Sequence, residues 1–436
     1  MNRKSPRAAL VTLGCPMNQV DSERIMGGLV SLGFELVPEE EAEIIVVNTC
    51  GFIESAREES VDTILELAEY KRTGRAKALV VAGCLAELHG GELARGLGEA
   101  DAVVGLADRE TIPGLCLRLL DRACEGEAVY TRVVTGPRNS AYLKIAEGCD
   151  NVCSYCTIPL IRGRYRSVPE DEVLREAQEL VALGARELIL IGQDTTSYGT
   201  DAGGASLPRL IERLAAIEDA RWLRLMYAHP AHLTDEIIAS FRDIPKLLPY
   251  VDLPVQHISG VLLRRMGRFT SPSDIRALIA RLRERIPGLV LRTSLIVGFP
   301  GETEAEFKEL LDFVEETRFE RLGAFIYSPE KGTRAARHSG AVPNKTAENR
   351  FEQLMRLQAD ITEEFQRSLI GREFEMIVDE IDPDSEDVFG RTYMDAPEVD
   401  GLVSVAGVIP PDAAFHQVRI IDAGTYDLVG EPVAPE

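Results

Sequence analysis

No stretch of the chain approaches the roughly 18 uncharged apolar residues of a membrane-spanning helix, so no membrane association is expected. The opening segment, MNRKSPRAALVTLGC, has basic residues, but its apolar run is too short for the core of a signal peptide, and a cytoplasmic protein is expected. Low-complexity tracts are lacking. With 45% hydrophobic and 27% charged residues, the 436-residue chain has enough apolar material to offset the entropy of ordering, which excludes disorder as its main state. Histidine is scarce, six residues with no metal-ligand spacing, so a metal must look to other groups. The single tryptophan, Trp222, opens an apolar run and is expected in a core. Basic residues fall short of acidic ones, 48 against 71, for a net charge of -23. A field of that sign repels phosphate backbones and attracts basic partners. The acid is concentrated: residues 371–436 hold sixteen Asp or Glu and three Arg, a net charge of -13.

What is present is cysteine. Eight cysteines in a chain expected to be cytosolic suit metal ligation or catalysis better than disulfides. Three of them follow apolar, β-branched runs directly. AALVTLG precedes Cys15, IIVVNT precedes Cys50 and ALVVAG precedes Cys84. Such runs read as strands buried on both faces. The segments between them have helical patterns, so residues 1–135 read as an open, doubly wound parallel sheet with a last helix near 109–122. In such a sheet the carboxyl ends of the strands share one edge, where ligands bind. Cys15, Cys50 and Cys84 are therefore expected to converge there as a three-thiolate site with one open coordination position. Soft thiolates suit zinc or an iron–sulfur cluster, and the lack of a histidine partner leans toward the cluster. Cys116 and Cys124 lie in or just after a helix and are assigned to packing.

Near 135–141 the pattern breaks at TGPRNSA, a linker. Six strand patterns follow, YLKIAEG, ELILIGQD, WLRLMYAH, YVDLPVQH, LRTSLIVGF and LGAFIYS, with helical segments between them. Alternation implies a parallel sheet with right-handed crossovers, and six units are too few for the closed eight-unit barrel. A partial (β/α) barrel is predicted over 138–370, ending in a long amphipathic helix at 344–370. The first strand runs into EGC-DNV-C-SY-C, which places Cys149, Cys153 and Cys156 on one loop. A structural zinc site wants four protein ligands. Three cysteines on a cubane leave one iron open to a substrate.

Cys-x3-Cys-x-aromatic-Cys after the first strand of a partial barrel resembles the radical S-adenosylmethionine superfamily. The resemblance implies a 4Fe-4S cluster on Cys149, Cys153 and Cys156, S-adenosylmethionine on its open iron, and Tyr155 against the adenine. With the three cysteine segments LGCPMNQVDSE, VNTCGFIESA and AGCLAE ahead of it, the whole chain is similar to the methylthiotransferases. In these a second cluster, here on Cys15, Cys50 and Cys84, holds the sulfur to be delivered. S-Adenosylmethionine is then both methyl donor and radical source, and an electron-donor protein is a partner. GRTYMDAPEVDG falls in a C-terminal region, 371–436, that looks like a TRAM domain, a small OB-like β-barrel.

One branch of the family modifies adenosines of transfer RNA, another an aspartate of the small-subunit ribosomal protein numbered twelve. LGCPMNQVDSE, GQDTTSYG and DAPEVDG resemble the second branch, as do Pro16 and Asp194, while Met17 departs from the lysine expected there. An acidic barrel fits a basic ribosomal protein, or the small subunit that carries it, better than RNA. The expected activity is therefore methylthiolation of the aspartate β-carbon. Modification of transfer RNA and a non-catalytic iron–sulfur or zinc protein are the alternatives. The superfamily resemblance also puts Gly298 and Glu302, in IVGFPGETEAEF, near the S-adenosylmethionine pocket, the other reading being a strand-to-helix turn. Gln193 and Asp194 end a barrel strand, where sites form. His257 reads as a structural histidine. Arg162, Arg164 and Arg166 are candidates to hold a carboxylate or to pair with acids of the protein itself.

Overall fold

In a computed structural model, which describes residues 5–123, 128, 131–201, 203–406 and 413–433, the chain divides into two units. One comprises Met1–Thr135, Glu147–Asp150 and Cys156–Tyr165, the other Gly136–Ala146, Asn151–Tyr155 and Arg166–Glu436.

The first unit grows from the apolar runs. β1 (Arg7–Thr12), β2 (Glu35–Leu36), β3 (Ile44–Thr49), β4 (Ala78–Gly83) and β5 (Ala102–Val104) form a parallel sheet in the order β2-β1-β3-β4-β5. Every residue of β3 and β4 is buried, which is why these strands read as unbroken apolar runs. Successive side chains point to opposite faces, so Ile44 and Val46 enter one core and Ile45 and Val47 another. Helices α1 (Pro16–Ser31), α2 (Glu54–Arg72), α3 (Cys84–Gly96) and α4 (Ile112–Leu119) supply the rest, giving the expected doubly wound sheet. β2, only two residues long, carries no periodicity and was not expected. The helix predicted over 109–122 starts instead as a 3-10 turn, Leu106–Thr111, and continues as α4. Cys116 is buried in the core, as its packing assignment requires, while Cys124 lies outside the described residues.

After β6 (Ser140–Lys144) come two short strands, β7 (Ala146–Glu147) and β8 (Arg166–Ser167), with the short α5 (Ile158–Ile161) between them. In the second unit, α6 (Glu170–Ala182), β9 (Glu187–Ile191), α7 (Leu207–Ala215), β10 (Trp222–Leu225), α8 (Asp235–Asp243) and β11 (Leu247–Asp252) alternate. α9 (Gly260–Arg265), α10 (Pro272–Arg285), β12 (Val290–Val297), α11 (Glu304–Thr317) and β13 (Arg321–Ile326) follow. The sheet is parallel and ordered β13-β12-β11-β10-β9-β6, six strands as predicted. The long helix α12 (Asn344–Arg367) buries Leu354 and Ile361. Beyond it β14 (Glu373–Ile381), β15 (Val388–Arg391), β16 (Val403–Val405), β17 (Phe415–Ala423) and β18 (Leu428–Pro432) close a barrel, β14-β15-β16-β18-β17.

This barrel is joined to the starts of the sheet strands by buried ion pairs. Arg391 reaches Glu187 at 2.7 Å and Ser140 at 3.0 Å, while Asp379 of its own barrel holds it at 2.6 Å. Arg321 reaches Asp395 at 3.0 Å, and Tyr250 donates to Asp400 at 2.6 Å. Trp222 is buried as expected, and its indole N–H donates to Glu375. Part of the acid counted in 371–436 thus faces inward and is neutralised there.

Candidate metal centres

The three cysteines of the first unit sit where the strands place them. Cys15 caps α1, with Pro16 at the first helical position; Cys50 follows β3; Cys84 starts α3. β1, β3 and β4 are neighbours, so the cysteines share the carboxyl edge of adjacent strands. Asn18, one turn after Cys15, ties the edge together. Its Nδ2 donates to the carbonyls of Leu13 (2.9 Å) and Thr49 (3.0 Å), and its Oδ1 accepts from Cys84 Sγ at 3.3 Å. Gly14 (φ +93°) allows the approach, since a Cβ there would lie 2.8 Å from Cys50 Cβ and 3.0 Å from its Sγ. Cys15 is exposed, while Cys50 and Cys84 are buried, so the thiol set opens to solvent on the Cys15 side. Burial, reinforced by the nearby Cys15 and Cys50, pushes the Cys84 thiol up to about 12; burial raises Cys50 as well. Buried, protonated thiols are costly to ionise alone, and a bound metal deprotonates them. None of the described cysteines is in a disulfide.

Cys149, Cys153 and Cys156 lie on a loop held by its backbone. Cys149 N–H donates to the Gly163 carbonyl at 3.2 Å. Ser154 N–H donates to Met266 O and its hydroxyl to Arg265 O, both at 2.7 Å. Tyr155 packs against a cluster of Leu262, Met266, Ile296, Phe299 and Ala335, and its hydroxyl accepts from Arg268 at 3.3 Å. Asn151 Nδ2 donates to Asp194 Oδ2 at 2.8 Å.

Asp194, at the strand end where a site is expected, is the centre of a hydrogen-bonded group. His232 lies 2.7 Å from it, Thr196 donates at 2.7 Å and Ser197 at 2.9 Å. Burial alone would raise the Asp194 pKa, but the bonds from His232, Thr196 and Asn151 outweigh it and hold the carboxyl well below the usual range. His229 stacks on His232 at 4.6 Å, and burial and Arg268 push its imidazole down to about 3. Ligand atoms of Asp194, His229 and His232 lie within 4.8 Å of one another. The histidines were expected to lack metal-ligand spacing, but His229 and His232, three residues apart, converge here with Asp194 from another strand end. Its oxygens already accept from these neighbours, and the group acts as a hydrogen-bonded brace on the cysteine loop.

Among the described residues, the buried side-chain oxygen of Gln193 has no hydrogen-bond partner. Gly298 and Glu302 are held by contacts within the protein. At Gly298 (φ +73°) a Cβ would fall 2.6 Å from Ala347 Cβ, so the close neighbour is α12. Glu302 is buried; it accepts from Gly298 N–H (2.5 Å) and Arg350 (2.9 Å), and His257 lies at 3.2 Å. It shapes the turn from beneath, and His257 is the satisfied structural histidine expected. Arg164 pairs with Asp150 on the surface, and Arg166 is exposed. Arg162 is different: it is buried and pairs with Asp21 and Glu147.

The donor sets fit iron–sulfur clusters, three soft sulfurs in each cysteine group. Residues 143–314 match the Radical SAM superfamily, 7–105 the Uncharacterized protein family UPF0004 and 370–433 the TRAM domain. The fold is also that of the radical S-adenosylmethionine methyltransferase TsrM from Kitasatospora setae, solved with cobalamin and a [4Fe-4S] cluster bound. The TM-score is 0.52 at 16% identity, over 76% of this chain and 77% of that one. The protein is thus a radical S-adenosylmethionine enzyme.

Full-length relatives narrow the class. The "Ribosomal protein uS12 methylthiotransferase RimO" of Geobacter sulfurreducens is 45% identical over 100% of both chains. That of Anaeromyxobacter sp. (strain K) is 46% identical over 98% of this chain and 93% of its own, and that of Heliobacterium modesticaldum 45% over 97% and 94%. The chain belongs to this family, the RimO methylthiotransferases.

Proposed function

We propose that the chain methylthiolates the β-carbon of an aspartate in ribosomal protein uS12, using S-adenosylmethionine and two 4Fe-4S clusters. The observation that carries the reading is the placing of three cysteines on one sheet edge, in a chain alike along its whole length to RimO proteins. A hydrogen on an unactivated carbon has no usable pKa, so acid–base groups alone do not remove it. S-Adenosylmethionine and the clusters, when bound, supply the radical and sulfur chemistry.

The chain's own residues bind and orient. Cys149, Cys153 and Cys156 would hold the radical-generating cluster, and Cys15, Cys50 and Cys84 the auxiliary one, at an edge where Cys15 is exposed. Tyr155, fixed by Arg268, offers its ring to the adenine, and Gln193 offers its unpaired oxygen to the cofactor. Gly298 and Glu302 set the turn that borders this pocket. Asp194 keeps Asn151, and so the cysteine loop, in place. Three parts divide the work: 1–135 for sulfur delivery, 138–370 for radical generation and 371–436 for docking.

The partner is uS12, free or in the small subunit, with an electron-donor protein, and the work is cytoplasmic. Among the described residues no helix is long and apolar enough to cross a membrane. Glu380, Asp384 and Glu386 are exposed acids of the C-terminal barrel, suited to a basic protein.

The test offers ribosomal subunits and unmodified transfer RNA together to the anaerobically reconstituted enzyme, with reductant and methyl-labelled S-adenosylmethionine. Label in uS12 is expected. Label in RNA would overturn the substrate and the docking role of the acidic barrel.

A further inference from the structure

Arg162 stands apart from the other arginines near the cysteine loop. It lies six residues past Cys156, at the end of α5, and its side chain is buried. Its guanidinium is oriented by one nitrogen. Nη1 donates to Asp21 Oδ2 at 3.0 Å and to Glu147 Oε1 at 2.6 Å. Arg109 approaches the same two carboxylates, at 3.6 Å and 3.9 Å. Two arginines thus face two carboxylates. Nη2 is then left facing elsewhere: it lies 2.7 Å from Asn18 Oδ1 and 3.7 Å from Cys84 Sγ.

The neighbours of Cys84 explain what a cation does there. Asn18 cannot turn a donor toward the sulfur, because its Nδ2 is engaged by the Leu13 and Thr49 carbonyls. Asn18 Oδ1 accepts from Cys84 while the sulfur carries a proton. A Cys84 sulfur that ligates a metal has no proton to donate, so Asn18 Oδ1 and Sγ, 3.3 Å apart, face each other as two acceptors. A donor reaching both relieves that contact, and Arg162 Nη2 reaches both. A buried positive group beside a ligating sulfur also favours the more negative, reduced state of a cluster, because charges interact strongly away from water.

We propose that Arg162 is a positioning residue for the auxiliary cluster, which bonds the Cys84 thiolate and raises that cluster's reduction potential. The proposal rests on the reading of Cys15, Cys50 and Cys84 as cluster ligands.

The experiment uses the full chain with Cys149, Cys153 and Cys156 replaced by Ala, so that one cluster gives the signal. Iron is counted after anaerobic reconstitution, and the potential is read by redox titration followed by electron paramagnetic resonance. Arg162→Gln removes the charge. Arg162→Lys keeps a charge for Asp21 and Glu147, but its donors sit on one nitrogen and cannot serve the carboxylates and the sulfur together. With the glutamine, the reduction equilibrium is expected to shift about tenfold against the reduced form, about 59 mV for one electron; the lysine variant is expected to fall between. If the glutamine variant loses its cluster, a lowered potential in the lysine variant alone supports the role. Unchanged potentials in both variants would overturn it, as would loss of iron from both in a chain still folded by circular dichroism. A parent protein without iron would instead overturn the ligand reading beneath it.

Discussion

Arg391 and Glu187 meet at 2.7 Å with both side chains buried, one on the C-terminal barrel and the other at the start of a sheet strand. Glu187 also accepts from Arg224 at 2.7 Å and from Ser140 at 2.9 Å. Burial alone would raise its pKa, but Arg391 and Arg224 outweigh that and push it down to about 2. The barrel is therefore keyed into the second unit by charge that has no solvent to fall back on.

Removing one partner of such a pair leaves the other uncompensated, at a cost of about 3–5 kcal/mol. Glu187→Gln is expected to lower the urea midpoint accordingly. The lowered folded-state pKa means that the contribution of Glu187 is complete above its ordinary 4.5 and is lost as pH falls toward 2. Asp379 and Asp395 run the opposite way, because burial raises their pKa values. The difference between parent and Glu187→Gln, followed by unfolding from pH 6 downward, isolates Glu187 and should shrink with acid. A difference independent of pH would contradict this.

Asp194→Ala removes the acceptor of Asn151, which sits between two loop cysteines. Loss of an outer-shell partner typically costs about 10–100-fold in metal affinity or activity. The variant is expected to bind less iron at the radical loop and to cleave S-adenosylmethionine more slowly by a similar factor, read as 5′-deoxyadenosine formed. Unchanged iron and cleavage would show that the loop holds without this brace.

Gly14→Ala combines a left-handed backbone with a Cβ 2.8 Å from Cys50 Cβ. Strain of about 1–3 kcal/mol falls on the auxiliary edge. Iron should drop toward one cluster per chain while S-adenosylmethionine cleavage persists. Equal iron content in variant and parent would contradict the convergence of the three cysteines.

Charge reversal of Glu380, Asp384 and Glu386 to Lys should slow association with uS12 at low salt, and the difference should fade at high salt. Stopped-flow or surface binding at several ionic strengths reads this. Equal association rates would leave the acid with no docking role.

The cysteines were legible because each of Cys15, Cys50 and Cys84 follows a buried strand whose unbroken apolar run is visible in sequence. The parallel sheets were legible for the same reason. The brace on Asp194 was not, because His229 and His232 end one strand and Asp194 another, and only register joins them. The close approach of Ala347 to Gly298 was hidden for the same reason, since the two lie far apart along the chain. The pairing of Asp379, Asp395 and Asp400 with inward groups is likewise hidden in a composition count, which made the barrel look more freely acidic than it is.

The central claim is that two cysteine sets do different work. The most direct measurement compares Cys149→Ala and Cys15→Ala, each anaerobically reconstituted and given S-adenosylmethionine, reductant and ribosomal subunits. Both 5′-deoxyadenosine and modified uS12 are quantified. Cys149→Ala is expected to give neither product. Cys15→Ala is expected to give 5′-deoxyadenosine without modified uS12. A folded Cys15→Ala protein that no longer cleaves S-adenosylmethionine, or one that still modifies uS12, would contradict the division of labour.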